Sequence, residues 1–238
     1  MTDPLFSIIL PVFNGEKTIE RTIRGVLDQT YTNWELIIMD SESVDLTQLL
    51  IENFLSDSRI KYFRKKDDGI YDGMNKGIVE ATGDWIYFTG SDDYFYTNSV
   101  LQHVYNSIKD HQELMVVYGK VKFQNSRLEY DRDFNLFRLS YKNICHQAIF
   151  YNRNLFQEIG YFNTDYKLYA DWEFNLKWMD KYASKFVDQI IACYNENGVS
   201  AATDTMFLKN IQKIIKKELR KRTIKVKFHY MISKFFIK

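Results

Sequence analysis

The sequence lacks the features that mark secreted, disulfide-stabilised or membrane-spanning chains. Its two cysteines, Cys145 and Cys193, match neither a metal-ligand spacing nor a disulfide framework, which favours a reducing compartment. The first residues, MTDPLFSIILPVFNG, carry no basic start and no small-residue cleavage site, so we expect no signal peptide. No run approaches the roughly 18 consecutive apolar residues that a membrane span needs. We therefore expect a cytoplasmic protein.

Two glycine-rich loops that bind phosphate groups are also missing. The segment PVFNGEK, after the first apolar run, contains no G-x-G-x-x-G, and the chain contains no G-x-x-x-x-G-K-[ST]. A diphosphate bound by this chain would therefore need a metal to neutralise it. Mg²⁺ and Mn²⁺ favour carboxylate oxygens together with phosphate oxygens.

The composition predicts a folded domain with an unusual distribution of charge. Hydrophobic residues make up 45% of the chain and aromatic residues 16%, so disorder over most of its length is not expected. Residues 209–238 contain eleven Lys or Arg and one acid, which gives +10, whereas the other 208 residues carry a net charge of −9. An acidic body with a basic tail indicates an anionic surface as the partner of the tail.

Apolar runs alternate with helical patterns through the first half of the chain. The predicted strands are FSIILPV (6–12), WELIIMD (34–40), RIKYF (59–63) and DWIYF (84–88). Helical patterns occupy the segments between them, the last at residues 72–82. This alternation predicts an α/β fold with a mostly parallel sheet and helices on both faces.

Polar or acidic residues follow each of these four strands. They are Asn14 after the first, Asp40 after the second, Asp67 and Asp68 after the third, and Asp92 and Asp93 after the fourth. Ligands bind beyond the carboxyl ends of the strands in such sheets, so these residues predict one polar rim. Asp92 and Asp93 are adjacent like charges that form either a solvated turn or a cation site, and we favour the cation.

The second half is less regular. LMVVYGKVKF (114–123) predicts a strand, CHQAIFYNRNLFQEIGYF (145–162) a short strand and a helix, ADWEFNLKWMDKY (170–182) a helix, and DQIIACYNENGVSA (188–201) a strand and a loop. Phe134, Phe137 and Tyr141 lie between them and are candidates for a lid over a cleft. We predict one domain over residues 1–205, with a nucleotide-binding half (1–111) and an acceptor half (112–205), and a basic tail over 206–238.

Three segments carry a resemblance to a known family. SIILPVFNGEKTIERTIRGVLDQTYTNWELIIMD, DDGIYDGMNKGIVEATGDWIYFTGSDD and ADWEF, in this order, resemble the family 2 glycosyltransferases of the GT-A fold. The bacterial members that build surface polysaccharides are the most similar, and the resemblance covers about residues 5–200. It implies an inverting, metal-dependent transfer of a sugar from a nucleotide-sugar, expected to be a UDP-sugar, to a hydroxyl of a glycan or a lipid-linked oligosaccharide.

The resemblance also implies roles for individual residues on the donor side. Pro11, Val12 and Asn14 would line the nucleotide pocket, and Asp40 would accept the N3–H of uracil. Asp68 and Asn75 would lie near the base and the phosphates. Asp92 would face the ribose or the sugar, and Asp93 would bind Mn²⁺ or Mg²⁺.

On the acceptor side, the resemblance makes Asp171 the general base and places His146 and Gln147 beside the acceptor sugar. Glu173 is the alternative base, and Asp171 could instead cap a helix. His146 could also be an ordinary core histidine. Many relatives have an acid where this chain has Gly90, and a Glu where it has Ala170.

Two other functions fit parts of the sequence. A sugar nucleotidylyltransferase would share the sheet and the metal, but it usually has a glycine-rich, basic loop where this chain has PVFNGEK. A non-catalytic nucleotide-sugar-binding adaptor would need neither Asp93 nor Asp171.

The basic tail predicts attachment to a membrane. Ile211, Ile214, Ile215 and Leu219 form an apolar stripe on a helix whose other positions are rich in lysine. Such a helix is typical of peripheral binding at the interface of an anionic membrane, here the inner face of the cell membrane. The alternative is a solvated helix packed on the domain. Nucleic acid is not expected as a partner, because the body is acidic and carries no nucleic-acid-binding motif.

Overall fold

The computed structural model describes residues 3–126, 128–130, 132–195, 205–222, 227–228 and 230–232. Within these ranges the chain forms a nine-stranded sheet with helices on both faces. The strands are β1 (Phe6–Val12), β2 (Trp34–Asp40), β3 (Ile60–Arg64), β4 (Trp85–Phe88), β5 (Tyr94–Phe95), β6 (Val116–Phe123), β7 (Glu129–Tyr130), β8 (Ile149–Asn152) and β9 (Ser184–Tyr194). The α/β fold with a mostly parallel sheet is as the sequence predicts.

Helices connect and cover these strands. They are α1 (Ile19–Leu27), α2 (Thr47–Glu52), α3 (Ile70–Glu80), α4 (Val100–Ile108), α5 (Leu136–Leu139), α6 (Asn154–Ile159), α7 (Ala170–Trp178) and α8 (Thr205–Arg220), with a 3₁₀ turn at His146–Ala148. The predicted strands of the first half are present with ends shifted by at most one residue, and α3 begins and ends two residues before the predicted 72–82. Helices α1 and α2 occupy the two other predicted helical segments and are shorter than the patterns there. Helix α4 and the short strands β5 and β7 were not predicted.

The sheet runs in the order β3-β2-β1-β4-β8-β6-β9-β5, with β7 paired to β6. The first four strands are parallel to one another, and β8 pairs antiparallel with both β4 and β6. Strand β9 then runs parallel to β6. This order brings the ends of β1 and β4, the 3₁₀ turn before β8 and the end of β9 to one region.

Burial on both faces explains the near-continuous apolar character of the central strands. Every residue of β1 and β2 is buried. Along β1, Phe6, Ile8 and Leu10 pack into one hydrophobic cluster, whereas Ile9 packs into the cluster on the opposite face. The sheet therefore separates two cores and holds its strand ends on a rigid base.

Helix α8 corrects one expectation about the tail. Phe207, Ile211 and Ile215, on its apolar stripe, are buried in the core cluster that also contains residues of α7. The stripe is therefore covered by protein, as in the packed-helix alternative, and does not face a membrane. Lysines 209, 213, 216 and 217 are exposed on the other side of the helix. Within the described ranges, no helix is long and apolar enough to cross a bilayer.

The sequence also predicts apolar anchors on a membrane after this helix, namely Phe228, Tyr230, Met231, Ile232, Phe235 and Phe236. This segment and the loop after β9 lie partly outside the described residues. Phe228, Met231 and Ile232 are exposed, whereas Tyr230 is buried. Residues 196–204, 223–226, 229 and 233–238 are not described, so Phe235 and Phe236 lie outside the structure. The prediction of a lid over the cleft is wrong for two of its three aromatic residues, because Phe134 and Phe137 are buried in the core. Of the three, Tyr141 is the one that is exposed.

Candidate active site

A cavity of about 750 Å³ opens at the carboxyl ends of β1 and β4. We call it the donor cavity. Five residues predicted to bind a nucleotide-sugar or its metal line it: Pro11, Val12, Asn14, Asp92 and Asp93. Asn14 lies in the left-handed region at φ 52°, and its Oδ1 accepts a hydrogen bond from the Val44 amide, which fixes the turn after β1. Asn14, Asp92 and Asp93, which the sequence places on one polar rim, thus face one cavity.

Asp93 is the most deeply buried acid of the donor cavity, with 2% of its surface exposed. Gln147 Nε2 donates to its Oδ2 at 2.7 Å, and the Asn195 amide donates to its Oδ1 at 2.9 Å. Burial, and then the neighbouring charge of Asp92, raise the pKa of Asp93 to about 6, although both hydrogen bonds oppose the shift. A buried carboxylate with this perturbation is typical of a functional site.

Asp92 is tied to the same framework. Its Oδ2 accepts a hydrogen bond of 2.8 Å from Asn195 Nδ2, so Asn195 holds both acids. Its backbone carbonyl accepts from Arg21 at 2.9 Å and from Gln124 at 3.0 Å. The acid pair is therefore a fixed element of the cavity wall and not a solvated turn.

The two carboxylates converge on the space beside Gly90. A Cβ at Gly90 would lie 2.7 Å from Asp93 Oδ2 and 3.0 Å from Asp92 Oδ1. Two carboxylate oxygens facing one point fit the oxygen-ligand chemistry of Mg²⁺ or Mn²⁺. Within the described ranges, no three His, Cys, Asp or Glu side chains come together as metal ligands. A cation here would therefore take its other ligands from phosphate oxygens and water.

Three predicted donor residues lie away from this cavity lining. Asp40 is fully buried, and its carboxylate accepts from Ser43 Oγ at 2.6 Å and from Tyr62 OH at 2.6 Å. Asn75 uses both ends of its amide on the backbone of Phe162. Asp68 is exposed. Their contacts with a nucleotide remain predictions.

Other residues line the donor cavity although they were not predicted as site residues. Asp67 lies there instead of its neighbour Asp68, and Lys17 contributes a positive charge. Asn195 lines the cavity at the end of β9. The acidic pair Asp67 and Asp68, directly after the third strand, indicated that an acid would lie here, although the sequence did not indicate which of the two. Nothing local in the sequence signals Asn195, because its position depends on the pairing of β9 with β6.

A second cavity, of about 410 Å³, adjoins the first and contains Asp171. We call it the acceptor cavity. Asp171 is 4% exposed and lies in the first turn of α7. Tyr71 OH donates to its Oδ1 at 2.7 Å and Asn143 Nδ2 to its Oδ2 at 2.8 Å. Burial, followed by the charge of Asp171, raises the pKa of Tyr71 well above its usual value, so the phenol remains a donor.

The alternatives for Asp171 can be compared with this geometry. The residue that caps α7 is Tyr169, so Asp171 does not act as the N-cap. Glu173, the alternative base, forms an ion pair with Lys177 at 2.9 Å and lines neither cavity. Of these two acids, Asp171 is the one that lines a cavity.

His146 and Gln147 lie between the two cavities. Both line the donor cavity and the acceptor cavity, as do Ile70 and Tyr194. His146 Nδ1 is 3.6 Å from Asp171 Oδ2, and Gln147 holds Asp93. The 3₁₀ turn that carries them therefore connects the acid at the donor side to the acid at the acceptor side.

Known proteins provide an independent comparison. A mycobacterial protein, the PGL/p-HBAD biosynthesis glycosyltransferase of Mycobacterium bovis, is 37% identical over 219 residues, which cover 89% of this chain and 85% of the relative. The Escherichia coli UDP-Glc:alpha-D-GlcNAc-diphosphoundecaprenol beta-1,3-glucosyltransferase WfgD is 37% identical over 127 residues, 53% of this chain and 49% of the relative.

Solved structures share the fold. S. aureus TarS 1-349 in complex with UDP-GlcNAc matches with a TM-score of 0.77 at 20% identity, over 90% of this chain and 66% of that one. The mannosyltransferase PcManGT from Pyrobaculum calidifontis, in complex with GDP-Man and Mn²⁺, matches with a TM-score of 0.66 at 18% identity, over 93% of this chain and 64% of that one. The sequence profile described as "Glycosyl transferase family 2" matches residues 7–175, and the chain belongs to this family of glycosyltransferases.

Proposed function

We propose that this glycosyltransferase transfers a sugar, with inversion, from a UDP-sugar to a hydroxyl of a glycan or lipid-linked acceptor in the synthesis of a cell-surface polysaccharide. The observation that carries the proposal is the arrangement of two acids. Asp93 lies in the donor cavity and Asp171 in the adjoining acceptor cavity, with His146 and Gln147 between them. A nucleotidylyltransferase or a binding adaptor would not need a buried carboxylate in a second cavity.

Asp93 would hold Mg²⁺ or Mn²⁺ together with the diphosphate of the donor. Asp92, which the resemblance assigned to the ribose or the sugar, would add a second oxygen beside the cation, because its Oδ1 lies near the same point as Asp93 Oδ2. When bound, the cation stabilises the negative charge that develops on the leaving nucleoside diphosphate. The geometry at Gly90 supports this assignment, because both carboxylates face the same point. Lys17, on the same cavity wall, would add a positive charge near the phosphates.

Asp171 would accept the proton of the acceptor hydroxyl while that oxygen attacks the anomeric carbon. Both its oxygens already accept hydrogen bonds, from Tyr71 and Asn143, and these hold the carboxylate in one orientation. A positioned base typically contributes about 10²–10⁴-fold to the rate. Attack from the acceptor cavity on the face of the sugar opposite the diphosphate would invert the anomeric centre.

The predicted donor residues that do not line the donor cavity keep their predicted roles as part of this proposal. Asp40 would accept the N3–H of uracil only if Ser43 or Tyr62 moved to uncover its fully buried carboxylate. Asp68 and Asn75 would act near the base and the phosphates, Asp68 from its exposed position and Asn75 only if its amide left the backbone of Phe162.

The exposed lysines of α8 support attachment to an anionic membrane surface. The apolar stripe of the helix is used for packing, so the contact would be electrostatic, with exposed Phe228 and Met231 as additional apolar contacts. Such attachment would bring the enzyme to a lipid-linked acceptor.

A screen of nucleotide-sugars tests the proposal. The protein is heated with UDP- and GDP-sugars, with and without Mn²⁺, because a ligand that binds the folded state raises the melting temperature. We expect a UDP-sugar to stabilise the protein only with the cation. Nuclear magnetic resonance of the product then reports the anomeric configuration, and a product with retained configuration would contradict the inverting mechanism.

A further inference from the structure

The walls of the acceptor cavity are mainly aromatic. Beyond the polar groups around Asp171, six aromatic residues line the space in addition to Tyr71, five of them from two separate parts of the fold. The six are Phe123, Tyr130, Tyr141, Tyr169, Trp172 and Tyr194. Aromatic side chains offer large, rigid apolar surfaces with preferred stacking geometries.

One wall is formed by neighbouring strands. The Phe123 ring lies 5.6 Å from the Tyr130 ring and 5.7 Å from the Tyr194 ring, between centroids. Phe123 and Tyr194 are paired residues of β6 and β9, so the sheet fixes their positions. This wall is one continuous aromatic surface.

The other wall belongs to α7 and the residue before it. The rings of Tyr169 and Trp172 are 5.8 Å apart, and both pack against buried Phe207 of α8, at 5.5 and 5.2 Å. The indole Nε1 of Trp172 donates to the carbonyl of Leu139 at 2.6 Å. An indole has no other hydrogen-bonding group, so Trp172 offers the cavity only apolar surface.

The polar groups of this cavity are concentrated near the donor cavity. His146 and Gln147 line both cavities, and Asp171 lies beside His146. Among the described residues that line the acceptor cavity, Lys142 is the one Lys or Arg, and its Nζ lies 3.8 Å from the centre of the Tyr130 ring. The same cavity also contains the carboxylate of Asp171. A group with two negative charges would therefore be poorly neutralised here.

We propose that the acceptor cavity binds a neutral aryl glycoside. The reacting sugar hydroxyl lies at Asp171, and the aryl group lies between the strand wall and the α7 wall. This inference rests on the proposed function, because it assigns the acceptor of the same transfer. It also places any diphosphate of a lipid-linked acceptor outside this cavity.

The test compares acceptors that differ only in the group attached to the sugar. Phenyl and methyl glycosides of several hexoses are titrated against the full chain in the presence of UDP and Mn²⁺, and binding is followed by ligand-observed nuclear magnetic resonance. Stacking on aromatic walls predicts binding of the phenyl glycoside roughly tenfold tighter than its methyl partner. Equal affinity for the two, or tighter binding of a short-chain polyprenyl diphosphate-linked sugar, would overturn the proposal.

Variants identify the site of the preference. Trp172→Ala should abolish the difference between phenyl and methyl glycosides, whereas Trp172→Phe should keep most of it. The matched control is Tyr161→Ala, since Tyr161 is an exposed aromatic that lines neither cavity, and it should leave the difference intact. Should Trp172→Ala unfold, Tyr194→Leu gives the same test from the strand wall. A preference that survives both wall substitutions would contradict the assignment.

Failure of this inference and failure of the proposed function give different results. Transfer from a UDP-sugar to methyl and phenyl glycosides with equal KM would remove the aryl assignment and leave the glycosyltransferase mechanism. Preferential binding of phenyl glycosides with no transfer from any UDP-sugar would leave the subsite and remove the proposed donor.

Discussion

The side-chain amide of Gln147 donates a hydrogen bond of 2.7 Å to Oδ2 of Asp93. A residue that the resemblance assigned to the acceptor thus also holds the acid that we assign to the metal. The substitution Gln147→Met removes this hydrogen-bond donor and keeps a side chain of similar size. Leaving a buried acceptor without its partner costs about 1–3 kcal/mol. We expect a lower melting temperature and weaker stabilisation by Mn²⁺ with UDP, whereas Gln212→Met, on the exposed face of α8, should change neither.

The raised pKa of Asp93 predicts a pH dependence of stability without a cation. Because its folded pKa is about 6 against an ordinary 3.8, the folded state binds the proton more tightly than the unfolded state. This contribution is complete below pH 3.8 and is lost as the pH rises through about 6, a decrease of roughly 3 kcal/mol or less in the free energy of unfolding.

Denaturant titrations between pH 4 and pH 8 measure this loss. In the Asp93→Asn variant, the free energy of unfolding should change less with pH over this range. Mn²⁺ should no longer stabilise this variant. Full metal-dependent transfer by this variant would refute the role of Asp93 as a metal ligand.

Asp171→Asn tests the base. Asparagine keeps an oxygen to accept from Tyr71, so we expect a folded protein whose kcat falls by about 10²–10⁴-fold. Stabilisation by UDP and Mn²⁺ should persist, because Asp171 does not line the donor cavity. The control on the same helix is Glu173→Gln, which should retain activity. A loss of turnover no larger than the loss of folded protein would make Asp171 a structural residue.

The sequence was sufficient to predict strands β1 to β4 and the helices between them, because the pattern that identifies each of these elements lies within the element itself. Strands such as β1 are buried on both faces, so their apolar runs are continuous, and the acids that follow them mark the rim. The contacts that complete the site are not local. Gln147 and Asn195 reach Asp93 across 54 and 102 residues, through the positions of β8 and β9 in the sheet, which no short pattern encodes.

The sequence of the tail could not show what the apolar stripe of α8 packs against. An apolar stripe on a basic helix has the same period whether it faces lipid or protein. Only the aromatic surface formed by Tyr166, Tyr169 and Trp172, on which Phe207 packs, decides between the two. That surface is assembled from the segment before α7 and from α7 itself, so it could not be recognised in the sequence of the tail.

Phe207→Ala tests the connection between α8 and the acceptor cavity. Phe207 is fully buried, and replacing a buried Phe with Ala costs about 3–5 kcal/mol of stability. Because its ring supports Tyr169 and Trp172, we expect KM for the acceptor to rise while KM for the donor stays close to wild type. Leu208→Ala, at an exposed neighbour on the same helix, is the control. Equal changes in both KM values would indicate general destabilisation.

Charge reversal on α8 tests attachment to a membrane. Lys213 and Lys216 are exposed and lie opposite the packed stripe, so Lys213→Glu with Lys216→Glu should leave the fold intact. Each lysine near an anionic bilayer contributes about 1 kcal/mol, so the loss of two alone predicts roughly thirtyfold weaker binding to anionic vesicles in flotation assays, and the two new glutamates should weaken it further. The same change at Lys66 and Lys109, exposed lysines of the body, is the matched control. Equal partitioning of wild type and the α8 variant, at low and high salt, would show that the lysines solvate the helix and do not bind lipid.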